Sequence, residues 1–365
     1  MQATTRAWVQ RQADGPPQLA GLQTVDPRDD EMLVRIVATG VCHTDLIAPP
    51  FARLPAVFGH EGAGIVEALG PRVHKFKVGD RVALTFGSCG QCRNCQVGAP
   101  YNCALSSELN FMGQRADGST TLAESGTAVR GAFFQQSSFA TLALVTERNA
   151  VRVPDDFPLE LAGPLGCGIQ TGAGAVLNTL QVEPGGSLAV FGVGSVGLSA
   201  VMAGALIHCS PLIAVDTRRD RLELARVLGA THTIDASEGR VAEQIRELSH
   251  GGVFYSVDTT ANVAGFKDAI ACLARGGICG ICAVPDYGQP FEFSPAPILS
   301  GRTLKGVLEG SSIPDVFIPQ LMRWHLDGRL PYDRFVRFYE FNDLPVALAD
   351  AKSGAAIKVS TSTSG

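Results

Sequence analysis

The chain has 365 residues, 45% of them hydrophobic, with a formal net charge of -5 and a pI of about 5.8. That length supports two domains with real cores, and the acidic balance without a Lys/Arg block excludes a nucleic-acid surface. The first residues are polar and lack an apolar signal core, and no apolar run reaches membrane-spanning length. The expectation is a soluble, cytoplasmic protein with no membrane partner.

Residues 1–40 alternate in short β-like runs, clearest at 32–38, broken by Pro and Gly. Gly40-Val41-Cys42-His43-Thr44-Asp45 then gathers a thiol, an imidazole, a hydroxyl and a carboxylate in one turn. Ala48-Pro49-Pro50 reads as loop, and residues 55–64 as a Gly-rich turn presenting His60 and Glu61. Residues 73–84 predict strands around the turn Val78-Gly79-Asp80-Arg81. Residues 104–135 are polar and Gly/Ser-rich without clear periodicity, which predicts a long loop at the rim of an active site. Residues 139–145 return to a strand pattern, and 158–180 read as helical around Gly166-Cys167-Gly168.

Cys89, Cys92, Cys95 and Cys103 have the spacing C-x2-C-x2-C-x7-C. Four thiolates so close in sequence can wrap one tetrahedral zinc and leave no position for water, so the pattern predicts a structural site. Two disulfides are the alternative, disfavoured in a chain without a secretory signal. A catalytic zinc instead needs three protein ligands and an open position. Cys42, His60 and Cys167 supply such a set, although each alone also reads as an ordinary buried cysteine or histidine. Cys209, Cys272, Cys279 and Cys282 sit in apolar surroundings and read as reduced core residues.

From Ser187 the texture changes. The run 187–191 is apolar in the manner of a buried parallel strand and leads into Gly192-Val193-Gly194-Ser195-Val196-Gly197 and an apolar helix. A second strand, 211–215, ends at Asp216. In a dinucleotide site Gly192 permits the tight turn, Gly194 the approach of a pyrophosphate, and Gly197 close packing of the helix on the sheet. Asp216 can accept from ribose hydroxyls and repel a 2′-phosphate, which favours NAD over NADP. Arg218 and Arg219 lie just beyond and could meet such a phosphate. Helix and strand alternate onward to 303–308, predicting a doubly wound parallel sheet, and the tail from about 309 is predicted to fold back onto the first domain.

Together these motifs resemble the zinc-dependent alcohol dehydrogenases of the medium-chain dehydrogenase/reductase family. The resemblance rests on Cys42-His43-Thr44-Asp45, Gly59-His60-Glu61, the four-cysteine knuckle, Gly166-Cys167-Gly168 and the run from Gly192 to Gly197. Asn110-Phe111-Met112-Gly113 looks most like the microbial benzyl- and aryl-alcohol enzymes and their geraniol-type relatives. The resemblance implies an α/β fold: a Rossmann sheet at 169–308, a β-rich GroES-like catalytic domain at 1–168 with a zinc lobe at 88–104, and a return segment at 309–365 completing the catalytic domain.

It also implies roles. Cys42, His60 and Cys167 match the catalytic zinc ligands, Glu61 the residue beneath the metal, Asp45 the partner that orients His60, and Thr44 the hydroxyl that takes the alcohol proton. Thr171 and Val196 match residues against the nicotinamide, His43 and Lys358 positions at the pyrophosphate, and Arg221 a basic residue at the adenosine ribose. Thr85, Phe133, Phe134, Val284 and Leu308 match pocket walls, with Val284 also counted at the cofactor. Ile47 stands where well-known members carry a histidine that ends the proton relay. The implied cofactors are one catalytic zinc, one structural zinc and NAD, and the implied assembly is a homodimer or homotetramer. The implied reaction is reversible oxidation of a primary alcohol, aromatic or allylic such as benzyl alcohol, to its aldehyde. Two alternatives stay open: a glutathione-dependent formaldehyde dehydrogenase, and a non-catalytic NAD-binding relic of the fold.

Overall fold

The computed structural model describes residues 3–285 and 290–363. The chain divides into two units, one of Met1–Cys167, Ile313–Leu326 and Tyr332–Gly365, the other of Gly168–Ser312 and Asp327–Pro331. The edge expected at 308 lies instead at Ser312, and the second unit also takes back Asp327–Pro331 from the return segment.

The first unit opens with β1 (Thr4–Gln10), β2 (Gln18–Thr24), β3 (Glu31–Val41), β4 (Ala56–Val57), β5 (Glu61–Leu69), β6 (Arg81–Leu84), β7 (Leu122–Glu124), β8 (Thr127–Val129), β9 (Leu142–Thr146) and β10 (Ala150–Arg152). The second unit holds β11 (Leu188–Phe191), β12 (Leu212–Asp216), β13 (His232–Asp235), β14 (Val253–Asp258), β15 (Leu273–Ile281) and β16 (Thr303–Gly306). The chain then returns with β17 (Val336–Glu340) and β18 (Lys358–Ser362).

In the first unit one sheet runs β4-β1-β2-β7-β8 and another β10-β6-β5-β3-β18-β17, with β9 also on β3. β3 is the hub. Its Met32, Val34, Ile36 and Ala38 are fully buried on one face, while Arg35 on the other is exposed and the end from Ala38 to Val41 is buried throughout. Val66, Val82, Leu84 and Val145 pack onto that face. The second unit's sheet, β13-β12-β11-β14-β15-β16, is parallel throughout. All four residues of β11 are buried, as a strand covered on both faces requires.

Residues 104–135 are not one long loop. They contain the helix Ser106–Phe111 and the hairpin β7–β8, and β7 pairs with β2 through Gln23↔Ala123. Elements this short show no period, and the partner that stabilises them is remote in sequence. The helical stretch 158–180 is also broken. A helix at Leu159–Ala162 and a tight turn at Gly163–Gly166 stop at Cys167, whose backbone (φ -143, ψ -81) is not helical, before Gly168–Gly174 resumes. The break presents the Cys167 thiol at a helix junction. No helix among the described residues is long and apolar enough to cross a membrane.

Candidate metal centre and dinucleotide site

Cys42 follows β3, His60 precedes β5, Glu61 opens β5, and Cys167 ends the first stretch of the unit. The sheet therefore delivers groups far apart in sequence to one place. The ligand atoms of Cys42, His60, Glu61 and Cys167 all lie within 4.8 Å of one another, and the two sulfurs are 3.9 Å apart. His60 is 1% exposed. Its Nδ1 is 2.9 Å from Asp45 Oδ1, and its buried Nε2 has no hydrogen-bond partner among the described residues. An orphaned imidazole nitrogen beside two thiols is the donor set of a tetrahedral zinc with one position left over.

The Cys42 thiol is charged for a cation, whereas His60 has to shed a proton before it can ligate one. Cys167 holds the Cys42 thiol well below its usual pKa, over the opposition of burial. Burial pulls the His60 imidazolium down, but Asp45 overrides it and leaves the pKa raised. Asp45 also accepts from the backbone N–H of Cys42 at 2.9 Å and of Gly59 at 3.1 Å, so one buried carboxylate aligns both ligand-bearing turns. Gln136, fully buried, donates to the carbonyls of His60 (2.9 Å) and Thr85 (3.1 Å) and accepts from Gly62 N–H (3.0 Å). It comes from a turn in which Phe134, Gln135 and Ser137 have positive φ, a conformation costly for side-chain-bearing residues.

Lys358 needs a correction. The expectation placed it at a pyrophosphate, but it is 2% exposed, ion-paired with Glu61, and donates to the Val41 carbonyl at 3.0 Å. Its position in β18, next to β3 in the sheet, turns the ammonium inward, where a charge needs a paired partner. Burial pushes Glu61 up to about 7, against the pull of Lys358. Gly40 is required here, since a Cβ on it would stand 2.0 Å from Glu61 Oε2.

Thr44, half-buried, sits in the helix His43–Ile47 with its hydroxyl 3.9 Å from Cys42 Sγ. His43 and Ile47 on the same helix are exposed. The expected pocket walls divide. Thr85, Phe133 and Phe134 are buried, with Thr85 donating to the Gly166 carbonyl at 2.7 Å. Val284 and Leu308, in the second unit, are exposed. Phe134 stacks on the His60 ring at 4.5 Å and Phe133 meets it edge-on at 5.7 Å.

Cys89, Cys92, Cys95 and Cys103 form a second cluster with ligand atoms within 4.8 Å of one another. The thiols are free, which sets the disulfide alternative aside. Backbone N–H groups point at the sulfurs, from Cys89 to Cys103 (3.3 Å), Cys92 to Cys89 (3.3 Å) and Ala104 to Cys92 (3.4 Å). Such bonds favour thiolate, and those from Ala104 and within the knuckle lower Cys92 to about 6. The donor chemistry fits a closed zinc site.

In the second unit Gly192 has φ +77, and a Cβ on Gly197 would lie 1.8 Å from the Gly192 carbonyl, so turn and helix close only with glycine at both places. A Cβ on Gly194 would meet nothing nearer than Arg221 Nη1 at 3.9 Å, so the space over Gly194 is open and flanked by a guanidinium. Val196 follows in the helix Ser195–Leu206, whose first residue, Ser195, has a buried hydroxyl with no partner among the described residues. A helix N-terminus with a spare hydroxyl and an adjacent arginine fits a pyrophosphate. Asp216 ends β12 and accepts from Val193 N–H (2.8 Å) and Arg218 N–H (3.0 Å). Arg218 turns away to Asp220 at 2.9 Å. Thr171 lies in the helix Gly168–Gly174.

Sequence reasoning missed Gln136 and the inward turn of Lys358. A glutamine has no spacing rule, and β18 could not be registered on β3 from its residues alone.

Two units, one β-rich with an open set of two cysteines and a histidine and a closed four-cysteine set, the other a parallel sheet with a phosphate turn, define a zinc-binding dehydrogenase. A family model described as an alcohol dehydrogenase GroES-like domain matches residues 28–155, and one described as a zinc-binding dehydrogenase matches residues 195–325. The geraniol dehydrogenase of Castellaniella defragrans is 43% identical over 360 residues, 97% of this chain and 96% of its own length. Among solved structures, an alcohol dehydrogenase zinc-binding domain protein from Burkholderia ambifaria is 46% identical with a TM-score of 0.97, covering 99% of each chain. The benzyl alcohol dehydrogenase from Acinetobacter calcoaceticus is 41% identical with a TM-score of 0.94, again covering 99% of each. The chain belongs to the zinc-dependent medium-chain alcohol dehydrogenases.

Proposed function

We propose that this enzyme oxidises a primary alcohol bearing an aromatic or allylic group to the aldehyde, with NAD as the hydride acceptor, and runs reversibly. The observation that carries the reading is the spare Nε2 of His60 beside the thiols of Cys42 and Cys167, its other nitrogen locked by Asp45. A zinc ion held by Cys42, His60 and Cys167 would acidify the alcohol, and NAD would take the hydride.

The chain's own residues do the rest. Asp45 keeps a proton on His60 Nδ1, so that Nε2 faces the ligand cluster. Thr44 Oγ1, beside Cys42, accepts the proton of the alcohol and releases its own outward. Lys358 neutralises Glu61 behind the cluster, and Gln136 fixes the backbone that carries His60. Ser195, with Arg221 flanking the open space over Gly194, would hold the pyrophosphate, a place for Arg221 different from the adenosine ribose that the resemblance implied. Asp216 has acceptor capacity left for ribose hydroxyls, while Arg218, engaged by Asp220, is withdrawn from a 2′-phosphate. The names of the Castellaniella and Acinetobacter relatives support an allylic or aromatic substrate.

The test is NADH formation across benzyl, cinnamyl, allylic and short aliphatic alcohols without added thiol, together with zinc per chain and the same assay on Asp216→Gly. Two zinc ions, preference for conjugated alcohols, and a rise in relative NADP use in the variant are expected. One zinc and no turnover would favour the relic. Turnover only with formaldehyde and glutathione would favour the thiol-dependent enzyme. A wild type that prefers NADP would overturn the role of Asp216.

A further inference from the structure

Phe58, Phe111, Phe133 and Phe134 form a continuous set of rings in the first unit. Phe133 packs edge-on to Phe58 at 5.0 Å and to Phe134 at 4.9 Å, and both Phe133 and Phe134 touch the His60 ring. Phe58, Phe133 and Phe134 are buried. Phe111 is not: 46% of it is exposed, although its ring stands edge-on to Phe134 at 5.2 Å and to Phe133 at 6.2 Å. It is thus the open end of a ring chain that begins at a ligand of the metal centre, two ring contacts from the imidazole.

A single exposed phenylalanine is ordinary. This one is held in place. Asn110 before it is 2% exposed, and its amide accepts from Gly87 N–H (2.7 Å) and donates to the Gly87 carbonyl (3.1 Å) and the Ser106 carbonyl (2.8 Å). The two-way clasp ties the end of the helix Ser106–Phe111 to the loop after β6. Gly113, at φ +63, turns the chain away directly afterwards. Phe111 is therefore set at a fixed angle, with part of its ring uncovered and its other contacts already aromatic. A preset aromatic edge prefers a flat π system over a saturated group of the same size, because ring pairs gain beyond their buried area. A rigid conjugated group also loses less rotamer freedom on binding than a flexible chain.

We propose that Phe111 is a specificity-determining residue that favours alcohols with a flat conjugated group beside the carbinol carbon. The proposal rests on the alcohol-oxidising reading above. It adds the residue that makes the choice and the Asn110 clasp that presents it.

The test compares benzyl alcohol with cyclohexylmethanol, which has the same carbon skeleton without the π system. In Phe111→Leu the ratio of kcat/KM for the two alcohols should fall about fivefold to tenfold, the value of one aromatic pair. Activity on cyclohexylmethanol, zinc content and NADH affinity should hold, and Phe111→Tyr should restore the ratio. Calorimetry with benzamide on the NADH complex should show the same loss in Phe111→Leu. An unchanged ratio, or a parallel fall with both alcohols, overturns the role of Phe111 while leaving alcohol oxidation intact. A wild type that oxidises neither alcohol overturns the activity and this proposal with it.

Discussion

The amide of Gln136 clamps the main chain on which His60 is carried. It holds the His60 carbonyl on one side and the Gly62 N–H on the other, across 76 residues of sequence in the first case. Gln136→Ala would leave those two groups buried without this partner, a loss of roughly 2–3 kcal/mol, while the Thr85 carbonyl keeps its bond from the Asn149 amide. The larger consequence falls on the metal. A ligand on a loosened backbone lets its ion go sooner. Zinc release to a chelator should quicken from one site per chain, while the cysteine knuckle keeps its ion. Equal release from both sites, or a rate like that of wild type, would sink the idea.

Lys358 and Glu61 are a buried pair, and the handling of such pairs is asymmetric. Removing one partner strands a charge, whereas removing both does not. Lys358→Met should therefore destabilise the enzyme by about 3 kcal/mol or more. The double change Lys358→Met with Glu61→Gln should cost less than the single one. Urea melts of the singles and the double form the cycle that measures it. A double variant whose loss equals the sum of the two single losses would show that the pair is not coupled.

Thr44 lies beside Cys42, and the next turn of the helix ends in an exposed isoleucine. Isoleucine cannot accept a proton, so what leaves Thr44 must go to water or another group. Thr44→Ala should lower kcat for alcohol oxidation by about a hundredfold, the usual worth of a positioned proton acceptor. Ile47→His should add a pH dependence near the imidazole value of about 6.5 with little effect on aldehyde KM. Near-normal oxidation by Thr44→Ala would exclude Thr44 from the relay. A pH profile identical to wild type in Ile47→His would show that position 47 lies off the proton path.

What could be read from the residues alone was what is written locally. The cysteine knuckle spans a few turns of chain, and the glycine run at 192–197 is both spacing and conformation, so both are visible in sequence. The set of Cys42, His60 and Cys167 is less local, but each ligand sits in a short motif. Gln136 and Lys358 act through partners that only the fold brings near. β7 was hidden for the same reason, since three residues carry no period and their meaning lies in pairing with β2. The place of Lys358 at a pyrophosphate came from the resemblance, and the register of β18 on β3 that turns its side chain towards Glu61 is not written in the residues themselves.

The insertion of β18 beside β3 also sets an order of events during synthesis. The half of β3 that runs into Cys42 pairs with β18 through Val41↔Val359 and Gly40↔Ser360. While the ribosome is still making the second unit, that edge has no neighbour on the β18 side, and Glu61 has not yet met its lysine. The cysteine knuckle, complete by residue 103, can take up metal early. The catalytic set has all its ligands once Cys167 has emerged, yet its supporting sheet closes only when the last strand docks. A nascent chain thus completes its four-cysteine set long before the scaffold around Cys42, His60 and Cys167 is finished.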